Sequence, residues 1–291
     1  MIALETTADA RAAVDRAHDV AFSSYVLARR SRMFRALAAA ADHGAHVAVT
    51  LQAQPYGDPQ GRLAKLNADA VAALRKRGAD ATLSDPAAPP MHLKACVADG
   101  VAFLDDRNWP TNGNDTVVAS DDPQTVAAVT AALHGHTDCT AAANDFATCK
   151  QSALALEARA ISESGTDGVA CESESFGFGA VFRALERRAH HAPVRLLVSE
   201  RDLRDDGTEL EHRALRVLRA AGVEVRVGRF EEKLCLSGTG AWLGSANATA
   251  GAPTTTDWGL VTDDRAVVEG VRSRFEDHWR HAVAFEPSDC A

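Results

Sequence analysis

Apolar residues recur along this chain with two periods, and their alternation predicts an ordered series of helices and strands. In Ser31–His43, Met33, Phe34, Leu37 and Ala41 form one stripe at helical spacing, with Gly44 placed to end the helix. Thr7–His18 carries Ala10, Ala13, Val14 and Ala17 in the same way, and Leu63–Lys76, ended by Gly78, is a third amphipathic helix. Short apolar runs at Val20–Tyr25, His46–Gln52 and Ala81–Ser84 predict strands, and the Pro- and Gly-rich run QAQPYGDPQG predicts a loop. A hairpin over Met91–Leu104 turns at Asp99 and Gly100. A strand near Thr116–Ala119 and a helix over Pro123–Leu133 follow it.

The order then repeats. Lys150–Ser162 is an opening helix and Gly168–Glu172 a strand. Ala180–His190, with Phe182, Leu185 and Ala189, matches the Phe34 helix, and Val194–Val198 is the strand after it. Leu210–Ala220, before Gly222, is a helix, and the strand Val223–Val227 leads into a second hairpin. Trp258–Val261 and Ala266–Ala282 close the series. Two βα-rich halves of like order predict a pseudo-two-fold α/β/α sandwich, with helices over both faces of mixed sheets. The boundaries fall at 1–133 for the first half, 134–148 for a polar linker and 149–291 for the second half.

The repetition extends to single residues. Phe230–Thr249 aligns without gaps on Met91–Pro110, placing Lys233 under Lys94, Cys235 under Cys96, Leu243 under Leu104 and Asn247 under Asn108. Glu231 stands where the first copy has His92, and Gly238 where it has Asp99. On a strand, His92 and Lys94 project from one face, while Leu93, Ala95 and Val97 point the other way, into a core. An imidazole, a cation and the amide of Asn108 thus reach one sheet edge, a set suited to phosphoryl chemistry.

Composition narrows the classes. A length of 291 residues allows one large domain or two ordinary ones. No apolar run approaches the roughly 18 residues of a membrane span. The acidic N-terminus lacks a signal pattern, which makes a cytoplasmic setting the expectation. The six cysteines contain no CxxC, so no disulfide framework is expected, and Cys96 and Cys235 read as buried thiols. A formal charge of −9 disfavours a non-specific nucleic-acid binder, although a local basic groove is compatible with it. His134, His136, Asp138 and Cys139 read as a solvated loop, since zinc-type ligands come in two separated pairs and one is visible. His190, His191, His278 and His281 read as solvent-facing, with His278 or His281 able to approach the chemistry from the last helix. Trp109, Trp242 and Trp258 read as core or pocket wall.

His92-Leu93-Lys94, followed by four residues and Asp99, resembles the HxKx4D signature of the phospholipase D superfamily. Gly244-Ser245-Ala246-Asn247 resembles the GSxN element of that family, and Asp105-Asp106-Arg107-Asn108 is its altered counterpart in the first half. The resemblance spans nearly the whole chain and implies the same pseudo-two-fold α/β/α sandwich. It also implies an enzyme: a metal-independent, cofactor-free phosphodiesterase that hydrolyses or transfers a phosphodiester, either a phospholipid or a small diester. His92 would form a phosphohistidine. Lys94 and Lys233 would hold the non-bridging oxygens, Asn108 and Asn247 would donate hydrogen bonds, and Ser245 belongs to the same phosphate-binding set. Asp115 would orient His92, or is simply a loop aspartate.

The departures matter as much. Glu231 could replace the second histidine as general acid and base, with Asp257 beside it as a second carboxylate that raises its pKa. Alternatively Glu231 is a surface residue of a decayed half, or the acid is Glu232. Asp105 and Asp106 bring negative charge towards a phosphate site. Two other functions stay open: a catalytically weakened module that binds phosphodiesters, and a nuclease, which the charge disfavours. Substrate choice would fall to the loops Gln52–Gly61 and Glu200–Thr208. Oligomeric state is left open.

Overall fold

A computed structural model describes residues 1–109, 116–137, 139, 145–205, 209–252 and 254–286. The chain divides into two compact units. The first holds Met1–Cys139 together with Thr254–Trp258, and the second holds the remainder, Thr140–Pro253 and Gly259–Ala291.

In the first unit the elements run β1 (Ile2–Glu5), α1 (Thr7–Arg16), β2 (Asp19–Ser24), α2 (Arg32–Asp42), β3 (His46–Leu51), α3 (Arg62–Arg75), β4 (Asp80–Leu83), β5 (Ala95–Ala98), β6 (Val101–Asp105), β7 (Val117–Ser120) and α4 (Pro123–Leu133). Helix starts are written in the sequence. Thr6 and Asp9 form a reciprocal capping box at α1, the Ser31 hydroxyl accepts the Phe34 amide at 3.1 Å, and Asp122 with Pro123 opens α4. The α2 stripe buries Met33, Phe34 and Leu37 against Val20, Phe22, Val47 and Val49 of the sheet.

The sheet order is β1-β7-β6-β5-β2-β3-β4. β2 is parallel to β3 and antiparallel to β5, so the hairpin β5–β6 is seated beside the parallel strands. Asp99 fixes that seat. At φ +46 in the hairpin turn, its carboxylate accepts the amides of His18 and Asp19 at 3.0 and 2.9 Å, pinning the turn to the start of β2. The short edge strand β1, antiparallel to β7, was not foreseen; too little of it alternates to register as a period.

The second unit contains β8 (Phe146–Ala147), α5 (Lys150–Glu163), β9 (Val169–Ser173), α6 (Ala180–Ala189), β10 (Val194–Ser199), α7 (Glu200–Asp205), α8 (Glu209–Ala220), β11 (Glu224–Gly228), β12 (Leu234–Ser237), β13 (Gly240–Gly244), β14 (Gly259–Thr262), α9 (Arg265–His281) and β15 (Val283–Ala284). Its order is β15-β11-β10-β9-β12-β13-β14-β8. β9 takes the place of β2, parallel to β10 and antiparallel to β12, and the register Ser237↔Val169 matches Ala98↔Val20 in the first unit. Trp242 and Phe182 lie in its core with Leu185, Leu196 and Leu215.

The cysteine expectation needs correction. Cys171 and Cys235 face each other across β9 and β12 and form a disulfide, and Cys139 and Cys149 are also half-cystines. Only strand register brings Cys171 and Cys235 together, and linear spacing carries no trace of it. Cys96 is a buried free thiol, as read. Disulfides persist in oxidising surroundings, which weighs against the cytoplasmic expectation. Among the described residues no helix is long and apolar enough to cross a membrane.

Candidate functional site

In the first unit the paired ladder begins at Ala95, so Met91–Lys94 is an extended lead-in rather than strand. What holds it is Thr254–Trp258. Thr256 bridges Met91, its carbonyl accepts the His92 amide at 3.0 Å, and its own amide donates to the Pro90 carbonyl at 3.0 Å. One residue further on, the buried Asp257 places Oδ1 2.7 Å from His92 Nδ1. The next residue, Trp258, donates its indole N–H to the Asp105 carbonyl at 2.9 Å.

A carboxylate is an acceptor, so this contact keeps the hydrogen of a neutral imidazole on Nδ1 and leaves Nε2 as the acceptor. Lys94 Nζ lies 2.7 Å from Nε2 and 3.0 Å from Nδ1. Lys94 is only 2 % exposed, whereas the His92 side chain keeps a quarter of its surface open. The Tyr25 ring stands edge-on to the imidazole with centroids 5.0 Å apart, and Lys94 lies 6.0 Å from the Tyr25 centroid. Burial pushes the Tyr25 hydroxyl up to about 12, so it stays protonated, and it donates to the Tyr56 carbonyl at 3.1 Å.

Two buried amides brace this corner and escaped the sequence reading. Asn67, fully buried on α3, accepts the Leu27 amide at 2.9 Å and donates to the carbonyls of Tyr25 and Gln52 at 2.9 and 2.8 Å. Gln52 Oε1 in turn accepts the Met91 amide at 2.9 Å. An asparagine at a core position of a helix was the available signal.

Asn108 is exposed, and its Oδ1 accepts the Val26 amide at 3.3 Å. Asp105 and Asp106 are buried; Asp105 Oδ2 takes the Trp109 amide at 2.6 Å, closing the turn. Asp115 and Asp138 lie outside the described residues. His134 caps the end of α4. Trp109, Trp242 and Trp258 are all core, at most 2 % exposed.

In the second unit Lys233 is buried, with Nζ 2.8 Å from Glu174 Oε2 and 3.0 Å from the Glu231 carbonyl. The Glu231 carboxylate meets Arg201 at 3.2 Å. Ser245 is fully buried. Asn247 is half-buried, its carbonyl accepts the Thr249 amide at 2.7 Å, and its Oδ1 is enclosed without a hydrogen-bond donor among the described residues. The Gly244 amide donates to the Lys233 carbonyl at 3.2 Å, which seats the end of β13 beside that lysine. Asp257, expected as a second carboxylate for Glu231, is bonded to His92, and the segment Thr254–Trp258 that carries it packs in the first unit.

The second unit also holds groups no motif announced. His278 on α9 is largely buried rather than solvent-facing, with Nδ1 2.9 Å from Glu172 Oε2, while Arg274 meets Glu232 at 2.6 Å. Among the described residues one further cluster of metal-ligand type exists, Glu157 with Cys171 and Cys235, whose ligand atoms lie within 4.8 Å of one another. The two sulfurs are bonded to each other, so they offer no thiolate. Burial raises the Glu157 carboxyl to about 8.

No family model and no curated protein sequence matches the chain. Solved structures do. A polyphosphate kinase from Porphyromonas gingivalis superposes on 99 % of the chain with a TM-score of 0.72 at 14 % identity. The chain spans 49 % of that enzyme, about half its length. Phosphatidylserine synthase from Haemophilus influenzae Rd KW20 matches 99 % of the chain and 88 % of its own length, with a TM-score of 0.70 at 10 % identity. Nuc from Salmonella typhimurium, a phospholipase D family member, covers 45 % of the chain and 90 % of itself, with a TM-score of 0.41 at 18 % identity. At these identities the likeness is one of fold.

Proposed function

We propose that this chain, which has the fold of the phospholipase D superfamily, is a phosphodiesterase that cleaves or transfers a phosphodiester through a phosphohistidine at His92. The observation that supports it most is the imidazole held at Nδ1 by buried Asp257 with the Lys94 ammonium 2.7 Å from Nε2. Nε2 attacks phosphorus, forming the P–N bond as the P–O bond to the leaving group breaks. The leaving oxygen takes a proton from a general acid. Water or an alcohol then attacks phosphorus, losing its proton to the conjugate base, and releases His92. Asp257 keeps the attacking tautomer and balances the imidazolium charge as it develops. A phosphoryl oxygen competes with Nε2 for the Lys94 ammonium, so substrate binding itself uncovers the lone pair.

By the family resemblance Lys233, Asn108, Asn247 and Ser245 are further phosphate contacts, and Glu231 is the general acid. Metal independence and a phospholipid or small diester as substrate belong to the same proposal. So do the division at 1–133, 134–148 and 149–291, the duplication of one motif-bearing half, and Asp115 as a second orienting carboxylate.

A second reading has its own support. Glu174 on Lys233 and Arg201 on Glu231 tie up the degenerate motif. They fit a weakened module that binds a phosphodiester without turning it over. The deciding experiment is hydrolysis of an activated phosphodiester with chelator present, wild type beside His92→Ala, with acid-labile labelling of the protein as a second readout. Turnover and label that survive chelation and vanish in His92→Ala are expected. A phosphodiester that binds without turnover or label would favour the weakened module.

A further inference from the structure

The segment before β12 alternates. Glu231 and Lys233 carry the degenerate motif on one side, while Phe230 and Glu232 turn towards α9, where the first unit has Met91 and Leu93. Under α9 lie groups with no counterpart in the first unit. The Phe230 ring stacks on His278 with centroids 4.1 Å apart and planes within 11°. Gly228 makes room for it, since a Cβ there would strike the ring. His278 reaches Glu172 of β9 at 2.9 Å, and Arg274 reaches Glu232 at 2.6 Å. Glu172 and Glu232 are 1 % and 3 % exposed, and each keeps one enclosed oxygen without a hydrogen-bond partner among the described residues. Ser23 occupies the Glu172 position in the first unit.

Buried charges of this kind do little for stability in themselves, because desolvation offsets their attraction. Their attested use is to fix a register, and the register at stake here is that of residues 230–233.

We propose that His278 and Arg274 are positioning residues, a latch on α9 that holds Phe230 and Glu232 and thereby sets where Lys233 stands, and that this latch loosens as pH rises. The functional consequence, control of phosphate contact by Lys233, rests on the reading of Lys233 given above; the latch itself does not. The groups facing His278 are Glu172 from β9, Glu232 from the lead into β12, and Arg274 one turn back on α9. Further along α9, Glu276 pairs with Arg195 of β10 and the Trp279 carbonyl accepts from Arg226 of β11.

The sign follows from the two partners. Burial lifts Glu172 to about 7, and His278 is raised by its bond to Glu172 against the opposing effect of burial. Both therefore hold protons more tightly folded than unfolded. The stability they contribute is full below the ordinary values, 4.5 for Glu172 and 6.5 for His278, and is lost as pH rises through about 7.

Hydrogen exchange tests this without needing turnover. In wild type, protection of the 230–237 backbone, corrected for intrinsic exchange, should fall about tenfold between about pH 6 and about pH 8.5. His278→Gln should already be poorly protected at the acid end and show no step. A His278→Gln protein with the wild-type profile would overturn the latch. Phe230→Ala changes a partly exposed side chain, so it reports even where His278→Gln does not fold. It should lower protection of the same segment at the acid end, and unchanged protection there would equally overturn the proposal. An inactive protein that retains the step would sink the His92 reading and leave the latch standing. An active enzyme without the step would do the reverse.

Discussion

Asp257 Oδ1 lies 2.7 Å from His92 Nδ1, although 165 positions of chain separate the two residues. The carboxylate is 1 % exposed and arrives on a segment whose backbone is bonded to that of Pro90 and His92. Its aim is thus set by main-chain geometry and not by a mobile side chain.

Asp257→Asn should keep the fold and lose turnover. An amide placed at Nδ1 can donate, which favours the tautomer with its hydrogen on Nε2 and removes the attacking lone pair. The loss in kcat should be about 10²- to 10⁴-fold with a small change in KM. Steady-state hydrolysis of an activated phosphodiester measures it, and an unchanged kcat would show that Asp257 does not orient the nucleophile.

Lys94→Met separates function from stability. A buried ammonium contributes little net stability, and Met is a near match in volume. The thermal midpoint should hold or rise, while turnover falls about 10²- to 10³-fold through loss of charge at the phosphoryl oxygens. Calorimetry beside kinetics checks both halves, and parallel loss of the two would mean that Lys94 is structural.

The carboxylates around Lys233 make opposite predictions. Glu174→Gln removes a charge that competes with phosphate for the Lys233 ammonium, so affinity for inorganic phosphate should rise about 3- to 30-fold. Glu231→Gln should lower kcat without tightening phosphate. Isothermal titration and rate measurements on both variants decide it: full turnover in Glu231→Gln would remove that residue as the acid.

Glu157 predicts an alkaline weakness. Its carboxyl, raised by burial to about 8, keeps its proton in the folded chain where the unfolded chain has lost it. Stability should therefore decline from its ordinary value of 4.5 up to about 8, by on the order of 1 kcal/mol per pH unit, and level off above. Glu157→Leu should flatten that decline in denaturant titrations across pH. A wild-type curve that is flat over this window would contradict the assignment.

Local physics made much of this architecture legible. The stripe Met33, Phe34, Leu37 and the Ser31 cap fix α2, and Pro123 after Asp122 fixes the start of α4. Asp99-Gly100 fixes the hairpin that carries His92 and Lys94 to the end of the inner strand β5. What could not be read depends on contacts remote in sequence. The bond from Asp257 to His92 is invisible to an alignment of the halves, which ignores where residues 254–258 pack. His278 has the pattern of a surface histidine, because Glu172, its partner, lies on another element. Cys235 was taken for a thiol because Cys171 meets it only through the pairing of β9 with β12. Asn67 looks like an ordinary polar helix residue until three backbone partners surround it.

The first unit is not contiguous in sequence, and this bears on the order of events during synthesis. His92 and Lys94 leave the ribosome long before residues 254–258 do. Until that clip arrives, Met91 and His92 lack their Thr256 partners, and the imidazole has no carboxylate to fix its tautomer. A nascent or prematurely terminated chain therefore carries the signature residues without the arrangement that would make them nucleophilic. That arrangement is deferred until residues 254–258 have been made.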